Sequence, residues 1–240
     1  MKILFSPSEA KSSVLGNLEI PNFSFDSDKR NIVLKEYENF IKNSSELSNF
    51  FGIKDEKLIT HYKASFKNNT GIKAVLRYSG VAYKALNYSN LDECAKKYID
   101  ENVIIFSNLF GPLLAKDPIP EYKLKQGAKL ENFSIESFYK KHFSLMVDEF
   151  IDKDDILDLR AGFYEKFYTV KKPYITLKFI KNGKVVSHYA KQYRGEILKQ
   201  IAIKQVSNFT EFMETEFKDL KLSEIKEQNN KKEIVFEIYN

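Results

Sequence analysis

The chain has 240 residues, of which 43% are hydrophobic and 30% charged, with 38 basic and 33 acidic side chains. This composition excludes fibrous and low-complexity proteins, and the length predicts one compact unit over residues 1–240 with a substantial core. The formal net charge of +5 is too small to define a partner by itself. No apolar run approaches the roughly 20 residues of a membrane span, and no signal-peptide pattern precedes Ser6-Pro7. We therefore expect a cytoplasmic protein without membrane contact.

The hydrophobic pattern predicts alternating strands and helices in the first half of the chain. A short strand at 2–5 precedes a helix from about Asp28, and two further helices are joined at Gly52. The next predicted elements are a strand at 72–78, helices at 81–88 and 91–101, and a buried strand at 103–108. Residues 109–130 contain two glycines and three prolines, which predicts that most of this segment is loop.

The second half of the chain begins with an amphipathic helix that Ser134 starts. Asn182-Gly183 is typical of a type I′ hairpin turn between two strands. The predicted elements are strands at 156–160, 174–180, 184–189 and 233–239, and helices at 194–206 and 210–220. We therefore predict an α+β fold in which a mixed sheet is flanked by helices.

Positive charge is concentrated in a predicted hairpin and helix at residues 166–204, the basic segment. It contains ten lysines and arginines and one acid, Glu196. Charge of one sign in one segment is typical of a surface that binds a polyanion. Aromatic residues alternate with these lysines, as on nucleic-acid surfaces that stack bases. Strands with one buried aromatic face would show the same spacing, so both interpretations stay open.

Arginine is rare in this chain, with four residues among the 38 basic side chains. Its planar guanidinium forms paired hydrogen bonds with phosphate, so the few arginines mark candidate anion sites. Arg77, Arg160 and Arg194 each lie within three residues of a glycine, which lets a backbone approach a ligand closely. Pairing with surface acids is the alternative, and Asp158 is placed to orient Arg160.

Sequence motifs for common cofactors and metals are missing. No glycine-rich nucleotide-binding motif occurs, and the three histidines show no metal-ligand spacing. We therefore predict no cofactor and no bound metal. Cys94, the single cysteine, is interpreted as a small buried thiol, and its isolation fits a reducing compartment.

Residues 45–66 show two short helical patterns around a glycine. The segment from Leu47 to Leu58, with Gly52 at the turn, resembles a helix-hairpin-helix, a module that aims backbone N–H groups at a DNA phosphate. Lys54 stands where this module usually has its second glycine. We predict a helix-hairpin-helix-like element here, with Gly52 and Lys54 as phosphate contacts.

Six short motifs are spread along nearly the whole chain. They are Ser6-Pro7-Ser8-Glu9-Ala10-Lys11, Tyr78-Ser79-Gly80-Val81-Ala82-Tyr83, Ser107 to Gly111, Asp117 to Leu124, Asp158 to Gly162, and His188 to Gly195. In this order and spacing they resemble the YaaA family of bacterial peroxide-stress proteins. The resemblance implies a cytoplasmic mixed α/β protein whose positively charged cleft binds DNA and which limits DNA damage from peroxide and iron. It implies no settled enzymatic activity.

Our first hypothesis is a DNA-binding stress protein that contacts phosphates without reading base sequence, so that its binding depends on the structure of the DNA. The predicted phosphate contacts are Lys11, Gly52, Lys54, Arg77, Arg160, Lys191 and Arg194. The alternative is an enzyme that acts on a nucleotide, nucleobase or nucleic acid in the same cleft. Its candidate acid-base or electrostatic groups are Lys11, Asp117, Tyr122 and Arg194. The sequence leaves the oligomeric state open.

Overall fold

The strands form a large mixed sheet and a small antiparallel one in the computed structural model. The structure describes residues 1–20, 23–65 and 70–239, without the side chains of Ser65 and His188. The described strands are β1 (Lys2–Phe5), β2 (Leu18–Glu19), β3 (Thr70–Lys73), β4 (Val103–Ser107), β5 (Gly111–Leu114), β6 (Pro118–Ile119), β7 (Ile156–Asp158), β8 (Tyr174–Lys181), β9 (Lys184–Val185), β10 (Leu220–Gln228) and β11 (Lys231–Ile238). The large sheet has the order β10-β11-β8-β7-β1-β4-β5, with β9 paired to β8, and the small sheet has the order β2-β3-β6.

Helices flank the large sheet, so the predicted α+β class is confirmed. The described α-helices are α1 (Ser27–Asn43), α2 (Leu47–Phe51), α3 (Glu56–Ser65), α4 (Ala74–Arg77), α5 (Val81–Leu86), α6 (Glu93–Asn102), α7 (Ile135–Ile151), α8 (Ser187–Ile203) and α9 (Phe209–Glu214). Ser134 caps α7 as predicted, because its Oγ accepts the Ser137 N–H at 3.3 Å. Asp26 caps α1, so this helix begins at Ser27, close to the start predicted near Asp28.

The centre of the large sheet is parallel. Ile3 of β1 lies opposite Val103 of β4 on one side and opposite Leu157 of β7 on the other. Every residue of β4 is buried, which explains its continuous apolar sequence. Because β1, β4 and β7 run in the same direction, their carboxyl ends meet at one edge of the sheet.

Two predicted strands are shorter in the structure. The strand predicted at 72–78 ends at Lys73, and the chain then turns into α4, whose helical spacing buries Ala74, Val75 and Arg77 together. The Asn182-Gly183 turn forms with positive φ at both residues, as a type I′ turn requires. Its second strand is only β9, because α8 already begins at Ser187.

The other differences lie in segments with weak hydrophobic patterns. The predicted helix at 210–220 is the shorter α9, and the following residues form β10, which sequence patterns missed because all but its first residue are exposed. The predicted loop at 109–130 contains β5 and β6, which pair with β4 and β3.

The helix-hairpin-helix predicted near 45–66 is not confirmed, although α2 and α3 are present and residue 66 lies outside the described residues. Gly52 adopts the left-handed conformation with φ 65°. The N–H groups of Gly52 and Ile53 donate to carbonyls within α2, at 3.2 and 3.0 Å. Asp55 accepts N–H groups from the first turn of α3. These N–H groups are therefore already hydrogen-bonded inside the chain. In a helix-hairpin-helix, the N–H groups of the turn would instead be available to a phosphate.

The helices give two further findings. Cys94 is exposed rather than buried, because the inward face of α6 consists of Ala95, Tyr98 and Ile99. Among the helices that the structure describes, none combines the length and the apolar character needed to cross a membrane.

Candidate anion-binding site

A cavity of about 350 Å³ lies at the carboxyl ends of β1 and β7. From β1 the chain reaches β4 on one side of the sheet and later β7 on the other, and such a reversal of strand order is the usual ligand site in open parallel sheets. The lining comes from the loop after β1, the start of α5, the segment after β7, and α8. A larger groove of about 810 Å³ between α9 and the β10–β11 hairpin has no arginine in its lining.

Hydrogen bonds hold the walls of this cavity together. Ser6 Oγ accepts the Ala161 N–H at 2.8 Å, which joins the ends of β1 and β7. The Tyr83 hydroxyl donates to the Ser6 carbonyl at 2.8 Å, which joins α5 to the same loop. A Cβ at Gly80 would lie 2.2 Å from Ser8 Oγ, so the loop after β1 approaches the start of α5 closely. The described residues contain no group of three or more His, Cys, Asp or Glu side chains that could hold a metal ion.

Lys191 and Arg194 supply the positive charge of the cavity. They lie three residues apart on α8, where side chains share a helix face, and Lys191 is exposed while Arg194 is half-buried. The Arg194 side chain has no hydrogen bond or ion pair with any residue in the described ranges. Burial lowers the pKa of Arg194, and the nearby Asp158 offsets part of this effect. Arginine stays charged in proteins, so Arg194 is a desolvated cation with no hydrogen-bonded acceptor in the part of the chain that the structure describes.

Gly195 places α8 against α5. A Cβ on Gly195 would lie 2.0 Å from the Ala82 carbonyl oxygen, so only glycine permits this contact. The sequence predicted that the glycine next to Arg194 lets backbone approach a ligand. In the structure this glycine instead allows two helices to pack closely. The contact brings Arg194 beside the start of α5.

The other predicted arginines are bonded inside the protein. Arg77 is 1% exposed and donates to the carbonyls of Ser12 at 2.6 Å and Val14 at 3.0 Å. Arg160 forms a two-point ion pair with Asp158, at 2.9 and 2.7 Å, as the sequence predicted for this pair. It also donates to the carbonyls of Tyr164 and Tyr168.

Arg30 was not selected from the sequence, and it is completely buried. Its guanidinium donates to the carbonyls of Phe110 and Pro112, both at 2.7 Å, and to that of Phe25 at 3.2 Å. Arg30 thus binds the β4–β5 connection to α1. Of the four arginines, only Arg194 has a guanidinium without a partner in the described structure.

Lys11 lies next to the cavity, in a segment that pairs with the residues after α4. It forms an antiparallel bridge with Tyr78. Its Nζ donates to the carbonyls of Ser8 and Glu9, each at 3.3 Å, and lies 4.2 Å from the centre of the Tyr122 ring. Burial lowers the pKa of Lys11 to about 7, and repulsion from Lys123 adds to the effect.

Tyr122 and Asp117 lie outside the cavity lining. The Tyr122 hydroxyl is hydrogen-bonded to those of Tyr78 at 2.8 Å and Ser107 at 2.9 Å, and burial raises the pKa of Tyr122 to about 12. The Asp117 carboxylate accepts from the Ser24 hydroxyl at 2.5 Å and the Leu114 N–H at 2.9 Å. It thereby closes the turn between β5 and β6.

Lys191 and Arg194 are therefore the predicted site residues that line the cavity. Gly52 and Lys54 lie on the connection between α2 and α3 and are not part of the lining. Ser6, Tyr83 and other polar wall residues were not selected individually. A Ser-Pro-Ser sequence directly after a predicted strand was the signal that could have identified this wall, because ligand sites form where parallel strands end.

The fold and cavity define an α+β protein with an arginine-lined cavity at the carboxyl edge of parallel strands. A family model described as "Peroxide stress protein YaaA" matches residues 1–226, so the chain belongs to this family. It is 50% identical over 244 residues to an uncharacterized protein of Campylobacter jejuni, covering 99% of both chains. It is 29% identical over 248 residues to a UPF0246 protein of Fusobacterium nucleatum, covering 98% of both.

Proposed function

We propose that this peroxide stress protein binds DNA through phosphate contacts that Lys191 and Arg194 make at the mouth of the cavity. One observation carries the proposal: Arg194 is half-buried, lines a cavity and has no partner among the described residues, whereas the other three arginines are bonded inside the protein. A phosphate oxygen is the acceptor that a guanidinium fork binds best. Phosphate contacts carry no base information, so we expect binding without sequence preference.

The basic segment supports the same proposal, although part of its charge is neutralised. Lys171 pairs with Asp148 at 2.6 Å, and Lys178 lies 3.9 Å from Glu233. Lys166, Lys184 and Lys191 are exposed and form no ion pair with a described residue. Exposed lysines attract a nucleic-acid backbone without geometric demands, and they would extend the phosphate contacts beyond the cavity.

The remaining predicted contacts have different roles in this proposal. Arg160 holds Tyr164 in the cavity wall, whereas Arg77 holds Ser12 and Val14 outside the lining. Lys54 is exposed and stays a candidate for a second phosphate contact at Gly52. We further propose that DNA binding takes place in the cytoplasm and limits iron-dependent DNA damage, a role that the family description as peroxide stress protein supports.

Replacement of Arg194 by alanine is expected to weaken DNA binding about tenfold, because a charge-assisted contact of about 1.4 kcal/mol or more is lost. The slope of log affinity against log salt should fall by about 0.9, the value for one phosphate contact. Arg194→Lys should keep the slope and lose affinity, because it retains the charge without the fork. The measurement is binding to labelled duplex, single-stranded and junction DNA over a salt series.

The matched control is Lys226→Ala, which removes an exposed lysine on β10 that pairs with Glu224 at 3.0 Å. It should bind DNA like the wild-type protein. Equal binding by Arg194→Ala and wild type at every salt concentration would contradict the proposed contact.

The alternative, an enzyme acting on a nucleotide or nucleobase, is favoured by the size of the cavity. Its volume of about 350 Å³ is typical of small-molecule sites. Lys11 lies beside this cavity, but Asp117 and Tyr122 bond to groups outside its lining. The two functions therefore assign different roles to Asp117: an acid-base group in the enzyme, and a structural carboxylate in the DNA-binding protein.

The Asp117→Asn variant separates these functions. We expect DNA affinity to stay unchanged and the free energy of unfolding to fall by about 1–3 kcal/mol, because a carboxylate that closes a turn loses its charge-assisted hydrogen bonds. The measurements are urea unfolding and DNA binding, with Asp152→Asn as the control for an exposed carboxylate. A nucleotide-converting activity that Asp117→Asn abolishes without loss of stability would favour the enzyme.

A further inference from the structure

We propose that Lys11 forms an imine with the aldehyde of a phosphorylated sugar whose phosphate Lys191 and Arg194 hold. The phosphate contacts rest on the proposed function, whereas the imine is a new activity. Two sources share this chemistry, namely an abasic nucleotide within DNA and a free sugar phosphate. Trapping with abasic DNA and with ribose 5-phosphate as separate probes distinguishes the two sources.

The contacts of Lys11 include no counter-ion. Nζ donates to the carbonyls of Ser8 and Glu9 and lies over the rings of Tyr78 and Tyr122, contacts that an amine makes in either protonation state. No carboxylate of the described residues lies within 4.0 Å of Nζ. Both hydrogen bonds are long, at 3.3 Å, so the amine can leave them without a large loss of energy.

Lys73 shows the opposite arrangement in the same protein. Its Nζ lies 2.6 Å from the Asp100 carboxylate, and hydrogen bonds to Asp100 and Tyr88 raise the pKa of Lys73 although burial opposes them. Lys11 has no ion pair with a carboxylate of the described residues, and its burial and the nearby cation Lys123 lower its pKa to about 7. Desolvation and a neighbouring cation are the two means by which proteins make a lysine nucleophilic at neutral pH.

The surroundings hold Lys11 beside the cavity. The two carbonyls that it contacts belong to Ser8 and Glu9, both in the cavity lining, and Lys11 itself is partly exposed. Arg77 fixes the following residues by donating to the carbonyls of Ser12 and Val14. Lys11 itself is not among the lining residues, so in our proposal the aldehyde of a sugar phosphate bound to α8 reaches the amine at the edge of the wall that Ser8 and Glu9 form.

The reaction needs no oxidant or reductant. The Nζ lone pair attacks the aldehyde carbon and forms a carbinolamine. Loss of the former aldehyde oxygen as water, with the two amine hydrogens, leaves a C=N bond between the sugar and Nζ. Added borohydride reduces this bond to a stable secondary amine, which makes the intermediate detectable.

The test is borohydride trapping on the full chain with three probes. These are a duplex oligonucleotide with one abasic site, the same duplex intact, and ribose 5-phosphate. Peptide mass spectrometry of the wild-type protein locates the adduct, so the result does not depend on whether a variant folds. We expect the adduct at Lys11, its loss in Lys11→Arg, and its retention in Lys116→Arg, which changes an exposed lysine.

Two further readouts separate a reactive amine from a structural one. Arg194→Ala should lower the adduct yield with ribose 5-phosphate but not with unphosphorylated ribose. The initial trapping rate should level off above about pH 7, whereas exposed lysines should react about tenfold faster per pH unit up to their usual pKa. The titratable or charged groups around Nζ are Glu9, Arg77, Tyr78, Glu121, Tyr122 and Lys123.

Each outcome has a distinct meaning. An adduct at Lys11 with abasic DNA supports the proposal with DNA as the source, and an adduct with ribose 5-phosphate alone supports it with a free sugar phosphate. No adduct, or adducts spread over exposed lysines, overturns it. Binding of the intact duplex is scored separately, so DNA binding without an adduct preserves the proposed function, and an adduct without DNA binding removes only that function.

Discussion

Replacing Arg160 with methionine is expected to lower the free energy of unfolding by about 3–5 kcal/mol, the usual cost of removing one partner of a buried ion pair. The Arg160 and Asp158 side chains are 1% and 9% exposed, so the remaining carboxylate would stay buried with its charge unmatched. The carbonyls of Tyr164 and Tyr168 would also lose their donor. Urea unfolding followed by circular dichroism measures this loss.

The double variant Asp158→Asn/Arg160→Met tests the cause. It removes the unmatched charge, so it should recover part of the stability that the single variant loses. If the single variant lost less than about 1 kcal/mol, the pair would behave like an exposed salt bridge, and the structural role given to Arg160 would be wrong.

The second large effect is expected at Gly195. In Gly195→Ala the new Cβ would lie 2.0 Å from the Ala82 carbonyl oxygen, and because that atom is backbone, α5 and α8 must move apart. Overpacking of this kind costs about 1–3 kcal/mol. Since α8 also carries Arg194, DNA binding should weaken in the same variant. Thermal unfolding and DNA binding are the two measurements.

Gly162→Ala is the matched control, because a Cβ at Gly162 would meet no atom within 4 Å. Its stability and DNA binding should equal those of the wild-type protein. A Gly195→Ala protein as stable as Gly162→Ala would show that the two helices tolerate a wider spacing, and that Gly195 does not set the position of Arg194.

Sequence patterns predicted the elements whose signals are local. The apolar sequence of β4 and the serine cap of α7 require only neighbouring residues to be recognised. The strand β10 was missed because its side chains are exposed, and exposed strands carry no alternation of apolar and polar residues. The strand predicted at 72–78 became a helical turn because tertiary packing buries three residues of α4 together.

The candidate site could not be predicted from local sequence patterns either, because it depends on long-range contacts. Composition singled out the arginines, but their roles depend on residues far along the chain. Arg77 donates to Ser12, 65 positions away, and Arg30 to Pro112, 82 positions away. Arg194 differs by lacking any such partner in the described structure, and no local pattern distinguishes it from Arg77. The low pKa of Lys11 likewise follows from burial and from Lys123.

The exposed strand β10 has a consequence for solubility. It is nine residues long and forms one edge of the large sheet, so one side of its backbone has no neighbouring strand among those that the structure describes. Such an edge is a template on which another chain can add a strand and begin aggregation. Glu224, Lys226 and Glu227 place charges along it, and a strand added there would have to remove water from them. These charges therefore disfavour the addition of a strand from another chain at the unpaired edge of the large sheet.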